Sequence, residues 1–541
     1  MLALVAVFLV AGLGLRAGYL GVVRGGELSD RAVGQQRSAT EALAPRGAIV
    51  TRDGHDLARD QLAVEVTGTP ALVTDARATA AQLSPLLGVQ EEVLAEKLDG
   101  NGGYARLARA IAPDKAAEIA DLDIPGIHFS DTYERVLPRG SVAAQIVGLT
   151  NEERTGAAGL EASLDDALTG TPGSRVEARD PFGRRLDTIV DEEPVPGEQV
   201  RLTLDGVIQD RTERILAETR EEFGAKSAMA VVMRPDDGAI LAMASVPRPN
   251  PARRATFSPE LWRNKAVTDT FEPGSTFKIV TVAGALEEGL VQPETRFDLP
   301  ATLTLYDREL GESHRDYDTN LTTTEILEQS SNVGTVKIGQ RLGQTGLQKW
   351  ISRFGFGAPT GIDYPGEVPG LVLPSEQWSG VSILNIPIGQ GVGVTLTQLV
   401  RAYAVIANGG RLVTPHIVSR VGDRDTGRRA APRVLTAQTA NEIDRMLRKV
   451  VSPDGTGEAA KIEGYEVAGK TGTANKIDPN TGEYDARYVA SFVGYVPADK
   501  PELLVAVVVD EPSGAYYGGA VAAPAFEQIG RFSLQYLGIA P

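Results

Sequence analysis

At 541 residues the chain is too long for one hydrophobic core, so two or three domains are expected. A hydrophobic fraction of 42% with 23% charged residues describes a folded protein rather than a disordered one. The formal charge of -17 argues against a nucleic-acid partner, and the absence of cysteine excludes disulfides, thiolate metal sites and a cysteine nucleophile.

Residues 1–23 are apolar apart from Arg16, with the small-residue texture of a helix in lipid. Arg16 cuts the unbroken apolar stretch to about fourteen residues, against the roughly 20 that span a bilayer. A signal peptide would carry a positively charged start and a small-x-small cleavage site; both are missing, so a transmembrane anchor is the expectation. Arg16, Arg24 and Arg31 all fall late in the run or beyond it, and the chain is expected to begin inside its first helix.

Residues 24–204 mix short strands, such as 62–67, with helical patterns such as 113–120. Gly and Pro punctuate them, and they contain neither a repeat, nor a catalytic constellation, nor the acidic motifs of a glycosyltransferase. Asp191-Glu192-Glu193-Pro194-Val195-Pro196-Gly197 reads as a linker. Asp205 then caps a helix to Phe223, and 228–233 and 239–245 read as a hairpin turned by Arg234-Pro235-Asp236-Asp237-Gly238. A long helical stretch follows. Strands are expected again at 466–474, 488–496 and 503–509, and a terminal helix over 522–537. Strands first and last with helices between make an antiparallel sheet covered by helices, an α+β fold.

Within the helical stretch stands Phe271-Glu272-Pro273-Gly274-Ser275-Thr276-Phe277-Lys278. Pro273 and Gly274 break the preceding element, and 275–288 reads as a helix ended by Gly289, with Ile279, Val280, Ala283 and Leu286 on a buried face. Ser275 and Lys278 then share one helix face, a nucleophile with its base attached, and the positive end of the helix favours an oxyanion beside the serine. Alone, Ser-x-x-Lys is expected by accident on the order of once in a chain this long. Downstream, however, come Ser330-Ser331-Asn332 and Lys470-Thr471-Gly472-Thr473. Serine penicillin-recognising enzymes combine Ser-x-x-Lys, Ser-x-Asn and Lys-Thr-Gly in that order. Ser275 would lie on the helical insert and Lys470 on a sheet strand, so a site between them would be a cleft.

With these motifs the chain resembles a class B penicillin-binding protein, a membrane-anchored peptidoglycan D,D-transpeptidase, of the cell-division FtsI kind. Pro45-Arg46-Gly47-Ala48-Ile49, Arg135-Val136-Leu137-Pro138-Arg139-Gly140, Gly159-Leu160-Glu161 and Asp180-Pro181-Phe182-Gly183-Arg184 resemble that family's N-terminal module, and Glu272 leans toward the division kind. The resemblance implies three parts: an anchor over 1–23, a non-catalytic pedestal of dimerisation type over 24–204, and a penicillin-binding transpeptidase domain over 205–541. It also implies a single-pass membrane protein with its catalytic domain outside the cytoplasm.

The roles follow from the same likeness. Ser275 would attack the carbonyl of a D-Ala-D-Ala stem peptide and release the last D-Ala, after which an amine of a second stem takes the acyl group. Lys278 serves as base only if burial or a neighbouring cation, for which Lys470 is placed, lowers its proton affinity. Ser330 would relay the proton, Asn332 hold the peptide, and Lys470, Thr471 and Thr473 hold the donor carboxylate. Gly472 would let the strand lie close against substrate, and the N–H groups of Ser275 and Thr473 would form the oxyanion hole.

β-Lactams are the expected covalent inhibitors. A SEDS-type membrane glycosyltransferase and other division proteins are the expected partners. No cofactor or metal is called for, since His55, His128, His314 and His416 are scattered without zinc spacing. Ile388-Gly389-Gln390-Gly391-Val392-Gly393-Val394 lacks the register of a nucleotide loop and reads as a tight turn into a helix capped by Thr395. Three rival readings share the motifs: elongation or sporulation wall synthesis by the same chemistry; a β-lactam hydrolase or sensor, for whose deacylating base Glu367 and Glu376 are the nearest candidates; and a non-catalytic wall-assembly scaffold.

Overall fold

The computed structural model describes residues 2–24, 26, 37–179, 185–252, 258–305, 308–312, 316–427, 431–478 and 480–541. The Asp180-Pro181-Phe182-Gly183-Arg184 motif and His314 lie outside the described residues. The chain forms two compact units, one of Met1–Gly47, Arg59–Val136 and Asp166–Glu198, the other of Ala48–Ala58, Leu137–Asp165 and Gln199–Pro541.

In the first unit, helix α1 (Leu2–Gly18) has Arg16 in its last turn, and Tyr19–Val23 continue it as a single π-helical turn. Its 17 residues reach roughly 26 Å at 1.5 Å per residue, short of a hydrocarbon core of about 30 Å. No helix among the described residues is long and apolar enough to cross a membrane. This overturns the expected anchor over 1–23, and with it the single-pass, extracytoplasmic placement that rested on the anchor. The physical reason is the one that Arg16 announces, an apolar run interrupted too early.

Strand β1 (Arg37–Ala42) is the first of this unit. It is followed by β2 (Asp56–Gly68), α2 (Ala76–Leu87), α3 (Glu91–Leu98), β3 (Ala105–Ile111), α4 (Pro113–Ala120), β4 (Ile127–Val136), β5 (Gly173–Arg179) and β6 (Arg185–Glu192). The expected strand at 62–67 and helix at 113–120 are both present, and the first two linker residues are absorbed into β6. β2 pairs antiparallel with β3 and β4, and β5 lies between β1 and β6. The helices close one core in which Val66, Leu83, Leu94, Leu98, Leu107 and Ile119 are buried. At its edge Asp60 and Arg135 form a buried ion pair of 3.2 Å, with side chains 2% and 5% exposed. The other Asp60 oxygen accepts from the Arg46 N–H at 2.8 Å, and Arg135 Nη2 donates to Gly47 O at 2.9 Å.

The second unit opens with α5 (Gly206–Glu222), whose first turn is capped by Asp205 accepting from the Val207 and Ile208 N–H groups. β7 (Ser227–Met233) and β8 (Ile240–Val246) make the expected hairpin. β11 (Ala468–Ile477), β12 (Tyr484–Val496) and β13 (Leu503–Asp510) return to complete an antiparallel sheet in the order β8-β7-β13-β12-β11. Between them run α6 (Lys278–Glu287), the hairpin β9 (Thr302–Leu305) and β10 (Arg308–Gly311), α7 (Asn332–Arg353), α8 (Leu396–Ala407) and α9 (Ala437–Val450); α10 (Ala523–Leu537) ends the chain.

Alternation along the strands sends Ala228, Ala230, Val232, Phe492, Val505 and Val507 into a core with Ile208, Ile215, Phe526 and Ile529 of α5 and α10. The opposite face of the sheet takes the helical insert. The segment 137–165 is tied to α5 by buried Glu213, which accepts from the Ala143 N–H at 2.9 Å, Gln209 at 2.8 Å and Arg248 at 2.5 Å.

Candidate active site

Ser275 lies in a 3-10 turn, Gly274–Phe277, that runs directly into α6. The helix expected over 275–288 is therefore entered through one tighter turn. Ile279, Val280, Ala283 and Leu286 are buried as their spacing predicts, but so is every other residue from Lys278 to Leu286. α6 is a central helix without a solvent face.

The nucleophile turn is held from several sides. Thr276 Oγ1 donates to Pro273 O at 2.8 Å, the buried Tyr403 hydroxyl of α8 donates to Thr276 O at 2.9 Å, and the Gly274 N–H donates to Gly389 O at 3.1 Å. Gly389 has φ +81°, and a Cβ there would sit 2.2 Å from the Gly274 carbonyl oxygen. The 388–394 stretch is thus a turn that braces Ser275, and Thr395 after it caps α8 in a reciprocal box with Gln398. Glu272 adds a further brace, accepting from the Gly391 N–H at 2.8 Å and the Tyr484 hydroxyl at 3.0 Å; burial pushes its pKa up. A cavity of about 460 Å³ adjoins this corner, lined in part by Phe271, Glu272, Leu371, Val489 and Val508.

Lys278 is carried inside with α6 and is 0% exposed. Its Nζ donates to Ser330 O at 2.6 Å and Asn332 Oδ1 at 2.8 Å, and lies 3.3 Å from Ser330 Oγ. Burial holds its pKa down to about 7, against the opposite pull of the Glu312 carboxylate. Three residues predicted from two separate motifs, Lys278, Ser330 and Asn332, thus converge on one amine.

Ser330 has φ +60°, a left-handed conformation that costs a non-glycine residue roughly 1–3 kcal/mol and is retained only where its surroundings enforce it. Ser331 is the N-cap of α7 and accepts from the Gly334 N–H, so this motif is a helix cap as well as a site element. Glu312, just beyond β10, accepts from Ser331 Oγ at 2.5 Å and from the Asn332 N–H at 2.7 Å. Sequence reasoning missed Glu312 because nothing near it in the chain signals a role; only the tertiary fold brings it to the turn.

On β11 the strand period divides the last motif. Lys470 lies opposite Val493 and Gly472 opposite Ser491, so the two share one face. A Cβ on Gly472 would meet Ser491 Oγ across the strands, and would lie 2.8 Å from Thr276 Cγ2 and 2.9 Å from Pro273 O, so this glycine lets the strand lie close to the nucleophile turn. Lys470 is 0% exposed, and among the described residues its amine donates to the Thr471 oxygens, at 3.3 and 3.4 Å. Burial first, and then the nearby Lys278, hold its pKa well below that of an ordinary lysine. Of the two causes expected to lower Lys278, burial or a neighbouring cation, burial is the one that acts; it dominates at both amines, and the repulsion between them lowers Lys470.

Thr471 Oγ1 lies 2.8 Å from Thr456 Oγ1, and Thr473 Oγ1 accepts from the Gly518 N–H at 3.0 Å, which leaves its hydrogen available to donate. Glu367 is occupied in holding the Thr360 and Gly361 N–H groups, and Glu376 is exposed on a 3-10 turn.

The profile of the penicillin binding protein transpeptidase domain matches residues 228–531, and that of the penicillin-binding protein dimerisation domain matches residues 41–202. Stage V sporulation protein D of Bacillus subtilis is 35% identical over 553 residues, covering 99% of this chain and 85% of that protein. Peptidoglycan D,D-transpeptidase FtsI of Escherichia coli K12 is 34% identical, covering 92% of this chain and 84% of that protein. The crystal structure of penicillin binding protein 3 from Mycobacterium tuberculosis complexed with aztreonam superposes with a TM-score of 0.74 at 31% identity, covering 93% of this chain and 98% of that one. With both domains matched in order and full-length relatives above 30% identity, the chain belongs to the class B penicillin-binding proteins, of the FtsI-like kind.

Proposed function

We propose that this protein is a peptidoglycan D,D-transpeptidase that crosslinks stem peptides through a Ser275 acyl-enzyme, serves septal wall synthesis during division, and is inhibited covalently by β-lactams. The observation that carries the reading is the buried Lys278 amine one turn after Ser275, already hydrogen-bonded to Ser330 and Asn332. An amine that titrates near pH 7 is neutral often enough to accept a proton and basic enough to pass one on.

In the first half-reaction Ser275 Oγ bonds to the penultimate D-Ala carbonyl carbon while Lys278 takes its proton. The C–N bond then breaks, and the proton passes by way of Ser330 to the leaving D-Ala amine. An amine of a second stem peptide next attacks the ester, restoring Ser275 and releasing the crosslinked product. Asn332 holds the peptide unit, and Lys470 with the Thr471 and Thr473 hydroxyls holds the donor carboxylate. Gly472 sets the spacing between strand and nucleophile, and the N–H groups of Ser275 and Thr473 cradle the oxyanion, each worth about 10²–10³ in rate. Residues 24–204 act as a non-catalytic pedestal and 205–541 as the transpeptidase domain. A SEDS-type glycosyltransferase and other division proteins are the partners of this reading.

Hydrolysis of β-lactams is the weaker reading, because neither candidate base is placed for a deacylating water: Glu367 is committed to a turn and Glu376 is exposed. Mass spectrometry after exposure to a fluorescent penicillin should find one adduct per chain on Ser275, lasting many minutes, and none on Ser275→Ala. Sustained turnover of nitrocefin over many equivalents would favour the hydrolase instead.

A further inference from the structure

We propose that Glu312 is a positioning residue of the transpeptidase site: its carboxylate holds the Ser330–Asn332 turn in the shape that aims three oxygen atoms at the Lys278 amine. The inference rests on Lys278 being the base of the reaction, and goes beyond it by assigning what keeps that base poised.

The turn cannot hold itself. Ser330 is in the left-handed region, which a serine leaves readily unless the surroundings enforce it. Each Glu312 oxygen takes one donor of the turn, Oε1 the Ser331 hydroxyl at 2.5 Å and Oε2 the Asn332 N–H at 2.7 Å. The neighbouring Gly311 O, the last residue of β10, accepts from Asn332 Nδ2 at 3.3 Å. Amide nitrogen facing Gly311 and amide oxygen facing Lys278 fix the Asn332 side chain in one orientation. The Ser331 hydroxyl also accepts from the Gly334 N–H, so the same contact secures the start of α7. These bonds to an ionised acceptor are worth roughly twice neutral ones.

The carboxylate has a second effect. Burial disfavours a proton on the Lys278 amine, and the one charged group that acts against it there is Glu312, just beyond the β9–β10 hairpin, whose carboxylate attracts a proton. Glu312 therefore opposes part of the burial effect. It keeps Lys278 basic enough to take the serine proton rather than merely neutral.

The two effects separate in a pH profile of the acylation rate with a fluorescent penicillin, measured on the full chain. Glu312→Gln removes the charge and one acceptor. The plateau rate should fall about ten- to hundredfold, the scale of a small misplacement of catalytic groups. The acid limb should also move to lower pH by roughly half a unit or more, because Lys278 then loses its proton more easily. Glu312→Asp keeps the charge at a shorter reach, and should lose plateau rate while holding the acid limb near that of the unaltered protein. Circular dichroism and thermal unfolding establish that both variants fold. An unmoved acid limb in Glu312→Gln, or the same displacement in both variants, overturns the proposal even if the plateau drops. Lys278→Ala acylating with the unaltered profile would instead remove the base assignment itself, an outcome that Glu312 variants cannot mimic.

Discussion

Both units of this protein bury a cation, and they handle the cost in opposite ways. In the N-terminal unit Arg135 is enclosed with Asp60 at 3.2 Å and also donates to the Arg46 and Gly47 carbonyls, while Asp60 accepts from the Arg46 N–H. In the transpeptidase unit Lys278 and Lys470 are wholly buried with oxygen acceptors but no carboxylate in contact among the described residues. A charge buried for architecture is matched, because an unmatched one costs several kcal/mol. A charge buried for chemistry is left partly unmatched, so that its proton leaves near neutral pH. The difference distinguishes a scaffold from a site without reference to any motif.

The comparison breaks first, and with the largest effect, at Lys278. Lys278→Ala should slow penicillin acylation by about 10²–10⁴ while the protein stays folded. In the unaltered protein the acylation rate should climb through pH of about 7, where the amine becomes neutral. A rate flat across that range would show that the amine is not the group whose deprotonation is needed. Asp60→Ala tests the architectural side. By leaving Arg135 buried and alone it should cost about 3–5 kcal/mol in denaturant unfolding of the N-terminal unit, with the acylation rate constant of Ser275 unchanged.

The smallest effect on stability sharpens the contrast by reversing its sign. Lys470→Met removes a buried amine with no carboxylate partner among the described residues, so it should stabilise the transpeptidase unit by about 1–4 kcal/mol near pH 7 while abolishing transpeptidation. Because the folded pKa of Lys470 is depressed, the unfolded chain binds the extra proton, and the unaltered protein gains stability as pH rises toward the unfolded value of 10.5. The advantage of the methionine variant should therefore shrink over that range. A constant advantage from pH 7 to pH 10 would mean that packing, not the proton, is responsible.

Much of this was legible in the chain. The 228–233 and 239–245 hairpin, the Asp205 cap and the helix over 113–120 emerge where periodicity and turn chemistry put them, because those signals act over a few residues. The anchor over 1–23 failed for a reason also visible in the sequence: Arg16 leaves too short a run. For the helix after Ser275 the spacing predicts one buried face and the structure buries both, since spacing reports which residues must be inside but not whether the other side is also covered.

The sequence by itself determined that Ser275 and Lys278 lie within a turn of each other, that Lys470 and Gly472 share one face of a strand, and that 388–394 turns tightly before Thr395. Each of these is a consequence of local geometry, 3.6 residues per helical turn or two per strand repeat. The tertiary structure alone decided that Ser330 and Asn332 meet Lys278, that Gly472 spares space for Thr276, that residues 137–165 pack with α5, and that Glu312 holds the turn at Ser330. These meetings join residues far apart in the chain. They depend on which faces the cores cover and where the loops close, information carried by the whole packing and by no window of the sequence.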